Sequence, residues 1–185
     1  VWDHAFTTFG LAFLAAIICT VIALLLNNNQ RMFARPIHQI QQNVSSVGYA
    51  IPGTVLAIGI LIPLGFLDIQ FNELLVSWNY DTVGLIFSGT SFALVLAFVI
   101  RFAAIANGSI LSGYQQIPTS LDMAAKSLSS GNKDIFSRIH VPLITPAILS
   151  AVLLVFIECV KELPAALLLR PFDFETLSTF VYQYA

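Results

Sequence analysis

Four long apolar stretches dominate this sequence and limit what it can fold into. They cover residues 6–26, 47–67, 83–106 and 141–160. Each is long enough to cross a hydrocarbon core of about 30 Å as a helix, which takes about 20 residues. Only 10% of the 185 residues are charged, whereas soluble domains carry roughly a quarter. The sequence therefore predicts an all-α, polytopic transmembrane helix bundle that forms one domain, residues 1–185, in the lipid bilayer.

The charged residues between the apolar stretches predict the orientation of the chain. The first loop, residues 27–46, carries two arginines and no acidic residue, and the third, residues 107–140, carries three lysines and arginines. The second loop, residues 68–82, carries three acidic residues and no basic one. With four crossings, the first and third loops share a side of the membrane, and their positive charge predicts that this side is cytoplasmic. The net charge of −2 gives no indication of a nucleic-acid partner.

The third loop carries more structure than a connection between two helices needs. Thr119 and Asp122 have the spacing of a capping box, with Asp in place of Glu or Gln, and Gly131 is placed to end the helix. Asn132 is placed to cap a second short helix. The apolar residues of each helix fall at helical spacing: Leu121, Ala124, Ala125 and Leu128, then Ile135, Phe136 and Ile139. Such helices are typical of a knob that docks in a protein groove, or of an amphipathic segment on lipid headgroups.

At these residues the chain resembles a known family. The loop is similar to the EAA loop of type I (MetI-like) binding-protein-dependent ABC importer permeases. The family pattern has E-A-A, three further residues, a Gly, and about nine residues later I-x-L-P. This sequence has Met123-Ala124-Ala125, then Ser129, then Ile139-His140-Val141-Pro142. Met123 stands where the family has Glu, with Asp122 beside it, and Ser129 stands where the family has Gly, with Gly131 two residues later.

Three further stretches resemble the ferric-iron-type branch of that family. They are VGYAIPGTVLAIGILIPL at 47–64, VIRFAAIANGSI at 99–110 and VKELPAALLLRPFDFETLSTFVYQYA at 160–185. The KELPA–LLLRPF–F–TL phrase is the most specific of them to that branch. The resemblance covers essentially the whole chain and indicates the second half of a two-lobed permease. Because the chain begins at Val1 without an initiator Met, we expect it to be a fragment.

The resemblance implies a function and a set of partners. The chain would be a permease of the bacterial inner membrane that imports ferric iron or a similar solute. A cytoplasmic ABC ATPase dimer would dock on the loop, a periplasmic or extracellular solute-binding protein would deliver the solute, and a second permease lobe would complete the pathway. ATP would be hydrolysed on the separate ATPase, so this chain would be no enzyme and would need neither a cofactor nor a bound metal. The implied ATPase-docking residues are Asp122, Met123, Ala124, Ala125, Leu128, Ser129, Gly131, Phe136, Ile139 and Pro142.

Charged residues near the ends of the apolar stretches have two interpretations each. Glu158, Lys161 and Glu162 indicate a polar gate or solute contact, or a helix end whose charges neutralise one another. Arg101 is predicted to extend to the lipid phosphates, with a position on the solute path as the alternative. Arg170 suits an anchor at the headgroups or a contact with an anionic solute.

An ion-coupled secondary transporter is the main alternative function. It needs broken helices with carboxylates near the membrane midplane. Pro52, Gly53 and Pro63 could break the second stretch, but none of the first three stretches contains an acidic residue. An intramembrane enzyme is disfavoured because His4, His38 and His140 are scattered and no H-E-x-x-H motif is present.

Overall fold

The computed structural model describes residues 2–32, 48–128, 131–172 and 174–184. Their regular structure is helical throughout, which confirms the predicted all-α class. The helices are α1 (Trp2–Met32), α2 (Gly53–Ser77), α3 (Ser91–Gln115), α4 (Thr119–Ser127), α5 (Asn132–Ile135), α6 (Val141–Leu143), α7 (Thr145–Lys161), α8 (Pro164–Leu169) and α9 (Leu177–Tyr184). A π-helical turn, Phe136–His140, joins α5 to α6.

Helices α1, α3 and α7 form the core of the bundle. Their contact surfaces consist largely of small residues with no exposed surface, among them Ala12, Ala16, Ala93, Ala97 and Ala151. Small side chains let helix backbones approach closely. Helices in lipid associate through such close packing, because the hydrophobic effect does not drive them together there. Helices α3 and α7 approach closely at Gly113, because a Cβ on this residue would lie 2.6 Å from the Cβ of Ala147.

Helices α1 and α3 run in the same direction, as the first and third crossings of a membrane should. The Sγ of Cys19 lies 3.7 Å from the carbonyl oxygen of Val99, and Asn27 donates to the side-chain oxygen of Asn107 at 2.7 Å. Both contacts join residues 80 positions apart, so the two helices keep a constant register. The end of α1 therefore lies beside the end of α3, where the third loop begins.

Three of the described helices, α1 from His4 onward, α2 and α3, are long and apolar enough to cross a membrane. The fourth predicted crossing is bent by 70° between the segment Asn132–Leu143 and α7. The bend lies at Ile144, between Pro142 and Pro146, whose rings prevent a regular helix from continuing through both positions. The approach to the membrane and the membrane helix are thus separate segments.

The second crossing extends past residue 67, where the sequence predicted its end, to Ser77. Asp68 lies inside this helix with 1% of its surface exposed. Its Oδ1 accepts from the backbone amides of Ile86 and Phe87 at 2.8 and 2.7 Å, and its Oδ2 accepts from the amide and hydroxyl of Ser88 at 2.8 and 2.6 Å. These bonds satisfy the carboxylate inside the protein, and they hold the loop before α3 against α2.

Candidate functional site

The third loop forms two short helices, as predicted, but their ends differ from the sequence prediction. Helix α4 follows Pro118, and no side chain caps it, so Thr119 does not form the predicted cap. It ends at Ser127, with Leu128 as its C-cap, rather than at Gly131. Gly131, with φ −71°, instead precedes α5, and Asn132 is the first residue of that helix rather than its cap. The predicted left-handed stop at Gly131 was therefore wrong.

Arg31, at the end of α1, holds the start of this loop in place. Its Nε donates to Oδ2 of Asp122 at 2.7 Å. Its Nη1 donates to the carbonyl of Tyr114 at 2.8 Å, and its Nη2 donates to the carbonyls of Ile117 and Pro118 at 2.9 and 3.2 Å. The last carbonyls of a helix have no partner within the helix. One guanidinium thus satisfies the end of α3 and fixes α4 to α1.

His140 binds the other oxygen of the same carboxylate. Its Nε2 lies 2.8 Å from Oδ1 of Asp122, and its side chain has no exposed surface. An ionised carboxylate only accepts hydrogen bonds, so Nε2 is the donor. The imidazole also contacts the ring of Tyr114 edge to face, with 5.4 Å between the ring centroids. We call Arg31, Asp122 and His140 the loop clamp, since together they join α1, α4 and the approach to α7.

The loop clamp changes the acidity of its central carboxyl group. Burial by itself raises the pKa of Asp122, but the hydrogen bonds from His140 and Arg31 and the charge of Arg31 outweigh it. The pKa of Asp122 is therefore below its ordinary value of 3.8. The carboxylate stays ionised at neutral pH and bound on both sides.

The clamp determines which face of α4 is exposed. Asp122 and Ala125 point into the protein, with 9% and 6% of their surfaces exposed. Met123 and Leu128 point outward, with 66% and 80% exposed, and Ala124 is also exposed. Three members of the predicted stripe, Leu121, Ala124 and Leu128, are therefore exposed beside Met123, whereas the fourth, Ala125, is covered.

The other residues of the implied docking set have varied environments. Gly131 and Pro142 are exposed, and Phe136 and Ile139 are half-buried. Ser129 lies outside the described residues. No local sequence pattern indicates that Arg31 and His140 belong to this site. The one available signal was an Asp among the apolar and alanine residues of a short helix, since such a residue needs a buried partner.

Arg101 does not extend to the lipid phosphates, so that prediction was wrong. It lies in the body of α3, where its Nε is 3.2 Å from Oε2 of Glu162 and its Nη1 donates to the carbonyl of Ile51 at 2.7 Å. As a result, Glu158, Lys161 and Glu162 at the end of α7 do not form one cluster. Glu162 points inward to Arg101, whereas Lys161 binds Glu158 at 2.7 Å on the surface.

Arg170 has a partner in the loop that follows α8. Its Nη1 donates to Oε1 of Glu175 at 3.3 Å, and about a quarter of each side chain is exposed. Among the described residues no group of three His, Cys, Asp or Glu side chains is placed to hold a metal ion.

No family model matches the chain, but two curated relatives are similar to it. A Haemophilus influenzae protein described as an Fe(3+)-transport system permease is 27% identical over 137 residues, which cover 74% of this chain. An Actinobacillus pleuropneumoniae protein described as a ferric transport system permease is 29% identical over an alignment covering 96% of this chain. The chain spans 24% of the length of each relative. These similarities confirm the resemblance to the ferric-iron-type branch of ABC importer permeases, and with the apolar helices they identify a multi-pass membrane protein.

Proposed function

We propose that this chain forms part of the membrane pathway of an ATP-driven solute importer in the bacterial inner membrane. In this proposal a cytoplasmic ABC ATPase drives the cycle by docking on the third loop, residues 118–142. A second permease lobe and a periplasmic solute-binding protein complete the transporter. Ferric iron is the solute we propose, because both curated relatives are described as ferric transport permeases.

The single observation that carries the ATPase coupling is how the loop is held. A connection needs no buried charges, yet this loop is fixed to the end of α1 by a carboxylate that binds a guanidinium and an imidazole. The clamp leaves an exposed helix face of small and apolar residues, Met123, Ala124 and Leu128. A rigid knob of this kind can transmit a displacement to the bundle, because packed elements switch between discrete arrangements rather than deform continuously.

The exposed face also indicates what kind of groove would receive it. Asp122 is the acidic residue of α4, and it points into the protein. Lys126 is exposed on the same helix, and Lys133 is exposed on the next one. A partner groove would therefore be apolar at its centre, with acceptor or acidic groups at its rim. Membrane lipid remains the alternative occupant of this face.

An ion-coupled transporter is the second candidate, and one observation favours it. Glu162 is a buried carboxylate at a break between α7 and α8, which is a feature such transporters use. Arg101 lies beside it, however, and an arginine that neutralises the carboxylate removes the negative charge that would attract a cation. The ATP-driven importer therefore accounts for both the pair and the loop.

The test is purification of the full-length permease from its native membrane in mild detergent, followed by a search for a co-purifying ATPase. Ala124→Glu places a charge on the exposed face of α4, and we expect it to abolish the association. Thr82→Glu adds the same charge in the exposed loop before α3 and serves as the control. A wild-type permease that brings no ATPase with it would contradict the proposal and favour the ion-coupled alternative.

A further inference from the structure

The ion pair between Arg101 and Glu162 lies deep inside the bundle. Arg101 is ten residues into α3 (Ser91–Gln115), about 15 Å along the helix axis from its start. The two side chains are 17% and 8% exposed, and Nε and Oε2 are 3.2 Å apart. Ionisable residues within membrane segments are costly and usually mark a functional position. The pair therefore calls for an explanation beyond packing.

Two interruptions of the helical backbone meet at this pair. Helix α2 begins at Gly53, behind an extended Pro52 with ψ 137°, and the preceding Ile51 carbonyl accepts from Arg101. Helix α7 ends at Lys161, Glu162 is extended with ψ 109°, and α8 begins at Pro164. Residues at the ends of helices are those that absorb the dihedral changes of hinge motions. Arg101 thus binds both the start of α2 and the turn between α7 and α8 to the middle of α3.

The backbone at Gly48 and Gly53 packs so closely around the pair that a side chain would not fit at either residue. A Cβ on Gly53 would lie 2.5 Å from Oε1 of Glu162 and 3.2 Å from Nη1 of Arg101. A Cβ on Gly48 would overlap the carbonyl oxygen of Ile100, the residue before Arg101. The start of α2 and the turn between α7 and α8 are therefore in contact with the pair itself. Release of both segments from Arg101 therefore requires the loss of its contact with Glu162 and of its hydrogen bond to Ile51.

The geometry of this pair differs from that of the loop clamp. Each of the three guanidinium nitrogens of Arg31 donates a well-formed hydrogen bond. In Arg101, Nη1 donates to Ile51, but Nε has no aligned acceptor among the described residues, although it lies close to Glu162. A buried ion pair offsets its desolvation only when its geometry is excellent. We therefore expect a smaller free-energy difference between the paired and separated states for Arg101–Glu162 than for the loop clamp.

We propose that Arg101 and Glu162 form an intramembrane latch, closed in the state described here and opened in the other state of the transport cycle. Opening swings the start of α2 and the α7–α8 turn away from α3. The latch rests on the proposed function, because it requires an ATP-driven change between two states of the permease. Arg101 and Glu162 are positioning residues in this scheme, since they act by holding helices in place.

The test uses the full-length permease reconstituted in proteoliposomes with its ATPase and its binding protein. The informative variant is the double substitution Arg101→Met with Glu162→Met. Replacement of a buried ion pair by apolar side chains commonly leaves a protein as stable as before. We therefore expect an unchanged melting temperature and a normal co-purifying ATPase, but transport reduced by about tenfold or more, which corresponds to about 1.4 kcal/mol. Wild-type transport by the double variant would overturn the latch.

Two further measurements keep the proposal testable if the double variant does not fold. Glu162→Asp shortens the carboxylate side chain by one methylene and should lower transport while ATPase association persists. Glu73→Gln removes an exposed carboxylate elsewhere and is the matched control. In the wild type, hydrogen exchange at residues 48–53 and 162–164 should rise in one nucleotide state relative to the other. Equal exchange in both states would overturn the latch, whereas a wild type without a bound ATPase would overturn the proposed function instead.

Discussion

The guanidinium of Arg31 donates through Nε to Oδ2 of Asp122 at 2.7 Å, which joins two residues 91 positions apart. The contact lies where α1 ends and α4 begins, and His140 binds the opposite oxygen of the carboxylate. The end of α1, the start of α4 and the approach to α7 are thereby held by one carboxyl group. A displacement of α4 must therefore move α1 and the approach to α7, or break the clamp.

Removal of the central carboxylate should release the loop. We expect Asp122→Ala to lower the free energy of unfolding by about 3 kcal/mol, because it leaves the largely buried charge of Arg31 without its counter-charge and His140 without its acceptor. Thermal unfolding of the full-length permease in detergent measures the loss, and limited proteolysis reports whether the loop has opened. Asp134→Ala is the control, since its partner Arg138 is 81% exposed and such surface pairs contribute less than about 1 kcal/mol. Equal effects of the two substitutions would contradict the clamp.

Protonation of Asp122 in acid should weaken the clamp. The pKa of Asp122 is lower in the folded protein than its ordinary value of 3.8. The group therefore stabilises the fold at any pH above that value, and this contribution is lost as the pH falls through the lower, folded pKa. The difference in stability between wild type and Asp122→Asn should shrink as the pH falls below about pH 4. A difference that stays unchanged below about pH 4 would contradict a stabilising role for the ionised carboxylate.

The sequence predicted the all-α helix bundle and the two short helices of the third loop, because both depend on local patterns. It did not predict which charges pair. Arg31 lies in a polar run that only marks the end of α1, and its partner is distant in the sequence. Arg101 was expected to extend to the lipid phosphates because it lies near the end of an apolar stretch. Its burial depends on Glu162 from another helix, and no local periodicity contains that information.

Asp68 should be as important to the C-terminal half of α2 as the clamp is to the loop. Asp68→Ala removes the acceptor for three backbone amides and one hydroxyl. Each unsatisfied buried donor costs about 1–3 kcal/mol, so we expect a loss of about 3 kcal/mol or more. Hydrogen exchange at residues 86–88 should rise strongly. Glu73→Ala is the control on the same helix, because Glu73 is exposed. Unchanged exchange at residues 86–88 would contradict this role for Asp68.

The crossing of α3 and α7 should tolerate no side chain at Gly113. Its Cβ would lie 2.6 Å from the Cβ of Ala147, so Gly113→Ala must push the helices apart. We expect a loss of about 1–3 kcal/mol, as for other overpacked cores. Gly108→Ala on the same helix has no neighbouring atom within 4 Å and should instead stabilise the protein by about 0.5–1 kcal/mol through helix propensity. Thermal unfolding of both variants measures the effect. If the two melting temperatures shift in the same direction from that of the wild type, the close approach at Gly113 is contradicted.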